Sequence, residues 1–517
     1  MARLRPLWSV AIAGVLFAIF RTGLANWDTA YALVFGSEVA SGRRPDFDGV
    51  ALAPTTHPLA DLVGLLLAGF GDAAEPMAVA LGFLALGVVG YLVYRLATTW
   101  FGPIAGVAAA VIVLTREPVL SVGVRAYVDL PYLAFILGAL AVETRRPRSG
   151  TAVLGLLALA GLLRPEAWLF SAAYLVLIAF PRLDPRARRA AELEAPGSTE
   201  TDEGGAIDPT REESRAYWEA RRRRELAARS NTEGSFRKAL RLLPFAVAAP
   251  ALWALLDLAS TGDALASLNG TRDNVEALGR DTGLDGLASD GPRRLGEVLR
   301  EPGLIAAAIG AGLGLVWLRA RTLAALAASA LALVALAILA AAGLPIITRY
   351  FLALGALASV LGGAAVGGWL EAGRGLPRWA WLAAGLAVLA LFAAFAPSQA
   401  RRISDLRDAI VAQDRIQEDL HDLAKAEAFP RSCLPIVVPS SRPVPLLALW
   451  LDRPPEAFVT PGDARQPSRG VYLLPASNRF VREVALDPRD PGATRLRRPA
   501  GFVLQGRNRS WGVYARC

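Results

Sequence analysis

Residues 25–58, ANWDTAYALVFGSEVASGRRPDFDGVALAPTTHP, decide how the rest of the chain is read. They carry Asp28, Asp46, Asp48 and His57, one of only two histidines, yet lie between segments apolar enough to enter a membrane. Spanning a bilayer requires no such loop. Written on a helix, residues 28–41 put Tyr31, Val34, Phe35 and Val39 on one face and Asp28 in the first turn. The expectation is an interfacial helix whose aromatic face sits in lipid and whose carboxylate is held at the membrane surface, where a lipid-borne molecule can meet it.

Composition agrees with a membrane setting. The 517 residues are 54% hydrophobic with a mean hydropathy of +0.38. Apolar runs at 7–24, 76–98, 103–116, 126–143, 151–163, 167–180, 241–259, 303–318, 322–343, 350–370 and 379–396 suggest about eleven spans. The net charge of +9 comes from arginines beside these runs and in one loop, which points to membrane topology and away from nucleic acid. Residues 7–20 follow Arg3 and Arg5 and lack a small-residue cleavage site before Trp27, so they read as a signal anchor. Cys433 and Cys517 are the only cysteines and build no metal motif.

Arg95, the trio Arg145, Arg146 and Arg148, the stretch 182–241, the pair Arg319 and Arg321, and the pair Arg374 and Arg378 all fall on one side if the N-terminus is cytoplasmic. Basic flanks at both ends of 151–180 then require that run to turn back at Arg164-Pro165-Glu166, where proline breaks a helix. Comparable breaks are expected at 116–129 and 343–350, and all three turns share the outer face with the opening loop. Residues 184–236 read as a disordered cytoplasmic insert with some helix, and 260–300 as an outer lid loop. The division is a membrane domain over 1–397 and an extracytoplasmic domain over 398–517. In the latter, a helix at 400–425 precedes strands at 436–438, 446–451, 470–474, 502–505 and 511–515. The fold class is thus an α-helical polytopic membrane protein of the plasma membrane with a small C-terminal α+β domain. Pairing of the strand after Cys433 with the strand ending at Cys517 would allow a disulfide.

Charges at membrane depth are costly, and a set of them on one face is a functional hypothesis by default. Here the set is Asp28, His57, Glu117, Arg125, Asp129, Arg164, Glu166 and Arg349. Arg125 and Asp129, four apart, have the spacing of a simple ion pair on one helix face. The acidic loop, then HPL at 57–59, RAYVDLP at 125–131, LLRPE at 162–166 and TRYFL at 348–352 together resemble the GT-C superfamily of membrane glycosyltransferases that use polyprenyl-phosphate sugars. The likeness is to its protein mannosyltransferase, aminoarabinose transferase and arabinofuranosyltransferase members, and covers about residues 7–397.

The resemblance implies that Asp28 is the first-loop acid used as general base, with Glu117 or Asp129 as a second acid. It implies a polyprenyl-phosphate sugar donor, an extracytoplasmic glycan, lipid or protein acceptor, and substrate contacts from His57, Arg125, Arg164, Glu166, Arg349 and Tyr350. A phosphate leaving group suits arginine forks. Thr29 stands where protein mannosyltransferases have a second acid, which argues against protein O-mannosylation. Asp46 and Asp48 have the spacing that holds a divalent cation in other glycosyltransferases, but PDFDG is equally a solvated turn. A transporter or flippase of a lipid-linked sugar is the rival reading; it would favour internal repeats, and none is visible.

Overall fold

Every expected apolar run is occupied by a helix. The computed structural model describes residues 7–45, 55–180, 211–372, 375–460, 467–476 and 496–517, with backbone alone for 211–233 and 376. The chain opens with α1 (Leu7–Phe20), α2 (Trp27–Ala40) and α3 (Pro58–Ala68). There follow α4 (Ala74–Phe101), α5 (Pro103–Leu114), α6 (Glu117–Val124), α7 (Asp129–Arg145), α8 (Thr151–Gly161) and α9 (Glu166–Ala179). The second half holds α10 (Arg211–Thr261), α11 (Ala266–Ala277), α12 (Gly283–Trp317), α13 (Arg319–Ala341), α14 (Leu352–Gly367) and α15 (Leu376–Lys425).

Among the described residues, α4, the 234–261 part of α10, α12, α13, α14 with its preceding turn, and α15 are long and apolar enough to cross a bilayer. The pair α5 and α6, bent by 67°, makes a further candidate. Helices α1, α3, α8 and α9 are apolar but shorter, 10–17 residues each.

The breaks fall where the sequence places them, and each has a local cause. Between α5 and α6, Arg116 is buried and donates through Nε to the Ile112 carbonyl and through Nη1 to the Leu299 carbonyl, both at 3.1 Å. It thereby satisfies a carbonyl that the interrupted helix leaves open. Pro165 caps α9. Gly343, at φ +84, ends the turn after α13, and a 3-10 turn at Thr348–Phe351 leads into α14.

Four expectations are corrected. Arg125 closes α6 and Asp129 opens α7, with Ala126 at φ +51 between them, so the two do not share a helix face. Residues 260–300 are mostly α11 and the start of α12 rather than a loop. Residues 446–451 lie in a helix, α16 (Val444–Leu451), because a short run buried on most sides carries no period that separates strand from helix. Helix α2 does not turn its aromatic face to lipid: Ala30 to Gly36 are all buried, and only Val39 of the expected face is exposed. The insert over 184–210 and the acids Asp46 and Asp48 lie outside the described residues, while 211–236 is helical backbone. Helix α15 runs unbroken through residues 397 and 398.

The C-terminal part is a five-stranded mixed sheet in the order β2 (Phe458–Val459), β1 (Ile436–Val437), β3 (Gly470–Pro475), β5 (Trp511–Arg516), β4 (Val503–Arg507). Its first two pairings are parallel and the last two antiparallel. Cys433 and Cys517 form a disulfide with a Cα–Cα distance of 5.1 Å, although β3 separates the two strands they flank.

Tyr31, Val34 and Phe35 of α2 pack with Leu420 of α15, Val444 of α16 and Val471 and Trp511 of the sheet in one apolar cluster. On its other side α2 meets α3 so closely that a Cβ on Gly36 would fall 2.2 Å from the Gly64 backbone. Only glycine permits that approach. The helix bearing Asp28 is therefore wedged between the membrane helices and the C-terminal domain.

Candidate active site

The ends of these helices enclose a cavity of about 1280 Å³. All nine residues singled out in the sequence line it: Asp28, Glu117 and Asp129 as acids, and His57, Arg125, Arg164, Glu166, Arg349 and Tyr350 as binding groups. They come from six separate breaks between helices.

At the centre lies an ion network. Arg349 Nη1 donates to Asp28 Oδ2 at 2.9 Å and lies 3.7 Å from Asp129 Oδ2. Asp129 Oδ1 accepts from Arg164 Nη1. Arg164 in turn donates through Nη2 and Nε to Glu166 Oε1, at 2.7 and 3.1 Å. Asp129 thus bridges two guanidinium groups, and its side chain is only 2% exposed. Tyr350 stacks on Arg164 at 3.9 Å from ring centroid to guanidinium carbon, which fixes the plane of the fork.

Asn26, not Asp28, caps α2: its Oδ1 accepts from the Thr29 amide at 2.9 Å. Asp28, in the first turn, is free of that duty. Burial pushes the Asp28 carboxyl upward, but the charge of Arg349, with smaller contributions from His57 and Arg164, outweighs it and holds the group below the ordinary carboxylate value. His57 goes the other way. Burial lowers its imidazole to about 4 against a partial lift from Asp28, so the ring is neutral near pH 7. The ring lies edge-on to Trp253 at 6.0 Å.

Arg125 and Glu117 stand apart from this network. Arg125 donates to Gln413 Oε1 through Nε and Nη2, at 3.3 and 3.2 Å, and to Ser121 Oγ through Nη1. Glu117 lines the cavity without an ion pair among the described residues. No group of three or more His, Cys, Asp or Glu among the described residues could hold a metal ion.

Several wall residues were not expected at the site. Gln413, Ile416, Gln417 and Leu420 come from one face of α15, spaced at 3, 4 and 7 residues, a pattern that could have shown the helix leaning over the site. Asp257 is buried in α10 and accepts from Ser267 Oγ at 2.7 Å and from the Ser267 amide at 3.0 Å, and Thr56 Oγ1 shares that Ser267 hydroxyl at 2.7 Å. This network ties α11 to the loop before His57. Its signal was a lone acid within an apolar span.

No family model matches the chain, and no curated protein matches it. Among solved structures it is similar to ArnT from Cupriavidus metallidurans bound to undecaprenyl phosphate, at 13% identity and a TM-score of 0.52 over 98% of this chain and 97% of that one. It also matches the apo oligosaccharyltransferase of Archaeoglobus fulgidus at 12% identity and a TM-score of 0.45, over 86% of this chain and 64% of that one. The first likeness shows a shared fold: a mostly helical architecture with a small C-terminal sheet domain, as expected from the sequence.

Proposed function

We propose that the chain is an integral-membrane glycosyltransferase that moves a sugar from a polyprenyl phosphate to a hydroxyl-bearing acceptor of the cell envelope. The observation that carries this reading is the Asp28–Arg349–Asp129–Arg164 network in one large cavity of a GT-C-like fold. The ArnT structure of that fold is bound to undecaprenyl phosphate, and a lipid phosphate is the anion that two converging guanidinium forks suit best.

The chemistry follows from the charges. The donor's phosphate competes with Asp28 and Asp129 for Arg349 and Arg164. As Arg349 turns to the phosphate, Asp28 loses the partner that depresses its basicity and becomes a better proton acceptor when the acceptor hydroxyl arrives. Asp28 takes that hydroxyl's proton, and the oxygen attacks the anomeric carbon. The bond from that carbon to the phosphate oxygen breaks, and its electron pair leaves on the phosphate, which the arginines stabilise. A single displacement inverts the anomeric centre. Asp129, held by both arginines, positions them, and Glu117, which lines the same cavity, is available to the acceptor.

The disulfide fits an extracytoplasmic C-terminal domain, since such bonds persist in oxidising compartments. With α2 pinned against that domain, α16 and the sheet form a wall on which an acceptor can rest. The test is to incubate the purified protein with hexosyl and pentosyl polyprenyl phosphates and measure release of polyprenyl phosphate. Release that depends on the protein supports the reading; none with any donor or acceptor extract removes it.

A further inference from the structure

We infer that Asn26 and His57 form a sugar-recognition pair beside Asp28, in which the Asn26 amide donates to, and the His57 imidazole accepts from, hydroxyl groups of the transferred sugar. The inference rests on the glycosyltransferase reading and adds the residues that distinguish a glycosylated lipid from a bare one.

Two orphaned atoms carry it. Asn26 is 8% exposed and lines the cavity; its Oδ1 is committed to the Thr29 amide, which fixes the amide and leaves Nδ2 buried with no acceptor. His57 lines the same cavity, and its Nδ1 is likewise buried and unpartnered, while the ring makes a hydrogen bond to the Leu163 backbone. A buried polar atom without a partner is costly, so two in one cavity are best explained by a ligand that satisfies both.

The chemical class follows from the pairing. A neutral imidazole bonded to a carbonyl through one nitrogen presents an acceptor on the other, and a carboxamide whose oxygen is occupied presents a donor. A phosphate supplies acceptors alone and cannot satisfy His57, whereas a sugar hydroxyl gives and accepts. Both residues flank Asp28, near which the anomeric carbon must lie.

The test is binding to the purified full-length protein in detergent, with undecaprenyl phosphate and hexosyl and pentosyl undecaprenyl phosphates as probes. Asn26→Ser keeps a capping oxygen and removes the long donor; His57→Phe keeps a ring and removes the acceptor. Each is expected to bind undecaprenyl phosphate as the wild type does and to lose about tenfold in affinity for the glycosylated lipid that the wild type prefers. Unchanged preference in both variants, or a wild type that binds bare and glycosylated lipid equally, overturns the pair while leaving the donor reading intact. A wild type that binds none of the probes overturns the donor reading and this inference with it. Equal losses for bare and glycosylated lipid would show that the residues shape the pocket without reading the sugar, which also overturns it.

Discussion

Arg349 reaches Asp28 across 2.9 Å, joining residues 321 apart in the chain. The contact couples the turn before α14 to the first turn of α2, so the acid proposed as base is held by the cation proposed to receive the leaving phosphate. Whatever releases one readies the other.

Arg164 uses its fork, with Nη1 on Asp129 and Nη2 and Nε on Glu166, whereas Arg349 meets both Asp28 and Asp129 through Nη1 and keeps its second arm for a ligand. Lysine keeps the charge and loses the second arm. Arg164→Lys and Arg349→Lys are expected to lower sugar transfer at least about tenfold, with Arg164→Lys also less stable because its fork is buried between two acids. Turnover at the wild-type rate in both would assign the phosphate to other residues.

How much of this was legible is clearest in α2. The position of Asp28 in a first turn and the breaks at Pro165 and Gly343 are local matters of period and breakers, and the sequence shows them, whereas the capping role of Asn26 appears only in the structure. The surroundings of α2 were not legible. Tyr31 and Phe35 make the same apolar face whether lipid or a protein domain covers it, and only tertiary packing decides that the C-terminal sheet does. The meeting of Asp129 with Arg164, rather than with Arg125 four residues away, depends likewise on a turn at Ala126 that no short-range pattern announces.

The pH dependence of folding has a defined sign. Unfolded His57 takes a proton near pH 6.5, but the folded ring resists until about pH 4, so stability that is complete above 6.5 falls as the pH drops toward 4. Over those units the loss is on the order of 2–3 kcal/mol. Asp28 adds to it only lower still, as the pH falls through its depressed folded value. Asp61 in α3, raised to about 8 by burial, works in the opposite direction by favouring acid. Melting temperatures of the wild type and His57→Gln at pH 4.5 and 7 separate these contributions: the His57→Gln slope should be shallower on the acid side. Identical slopes would mean the imidazole is not buried neutral.

Cys433 and Cys517 close a loop of 84 residues, worth on the order of 4 kcal/mol in the chain-entropy account. Both thiols should resist alkylation in denatured, unreduced protein and react fully after reduction. Cys433→Ser should loosen the sheet and, through the shared apolar cluster, the seat of α2. Free thiols before reduction would remove the bond and its support for an extracytoplasmic domain.

Proton acceptance by Asp28 is the step on which the proposed mechanism turns, and Asp28→Asn addresses it most directly. Asn26 caps the helix in either protein, so the substitution spares the cap and loses the ion pair to Arg349 along with the proton acceptor. The measurement is single-turnover transfer from a polyprenyl-phosphate sugar, made alongside binding of the bare polyprenyl phosphate. Transfer is expected to fall at least about a hundredfold with phosphate binding retained or tightened, because Arg349 no longer has to be freed. Near-normal transfer by the Asp28→Asn variant would contradict the mechanism and move the search for the base to Glu117.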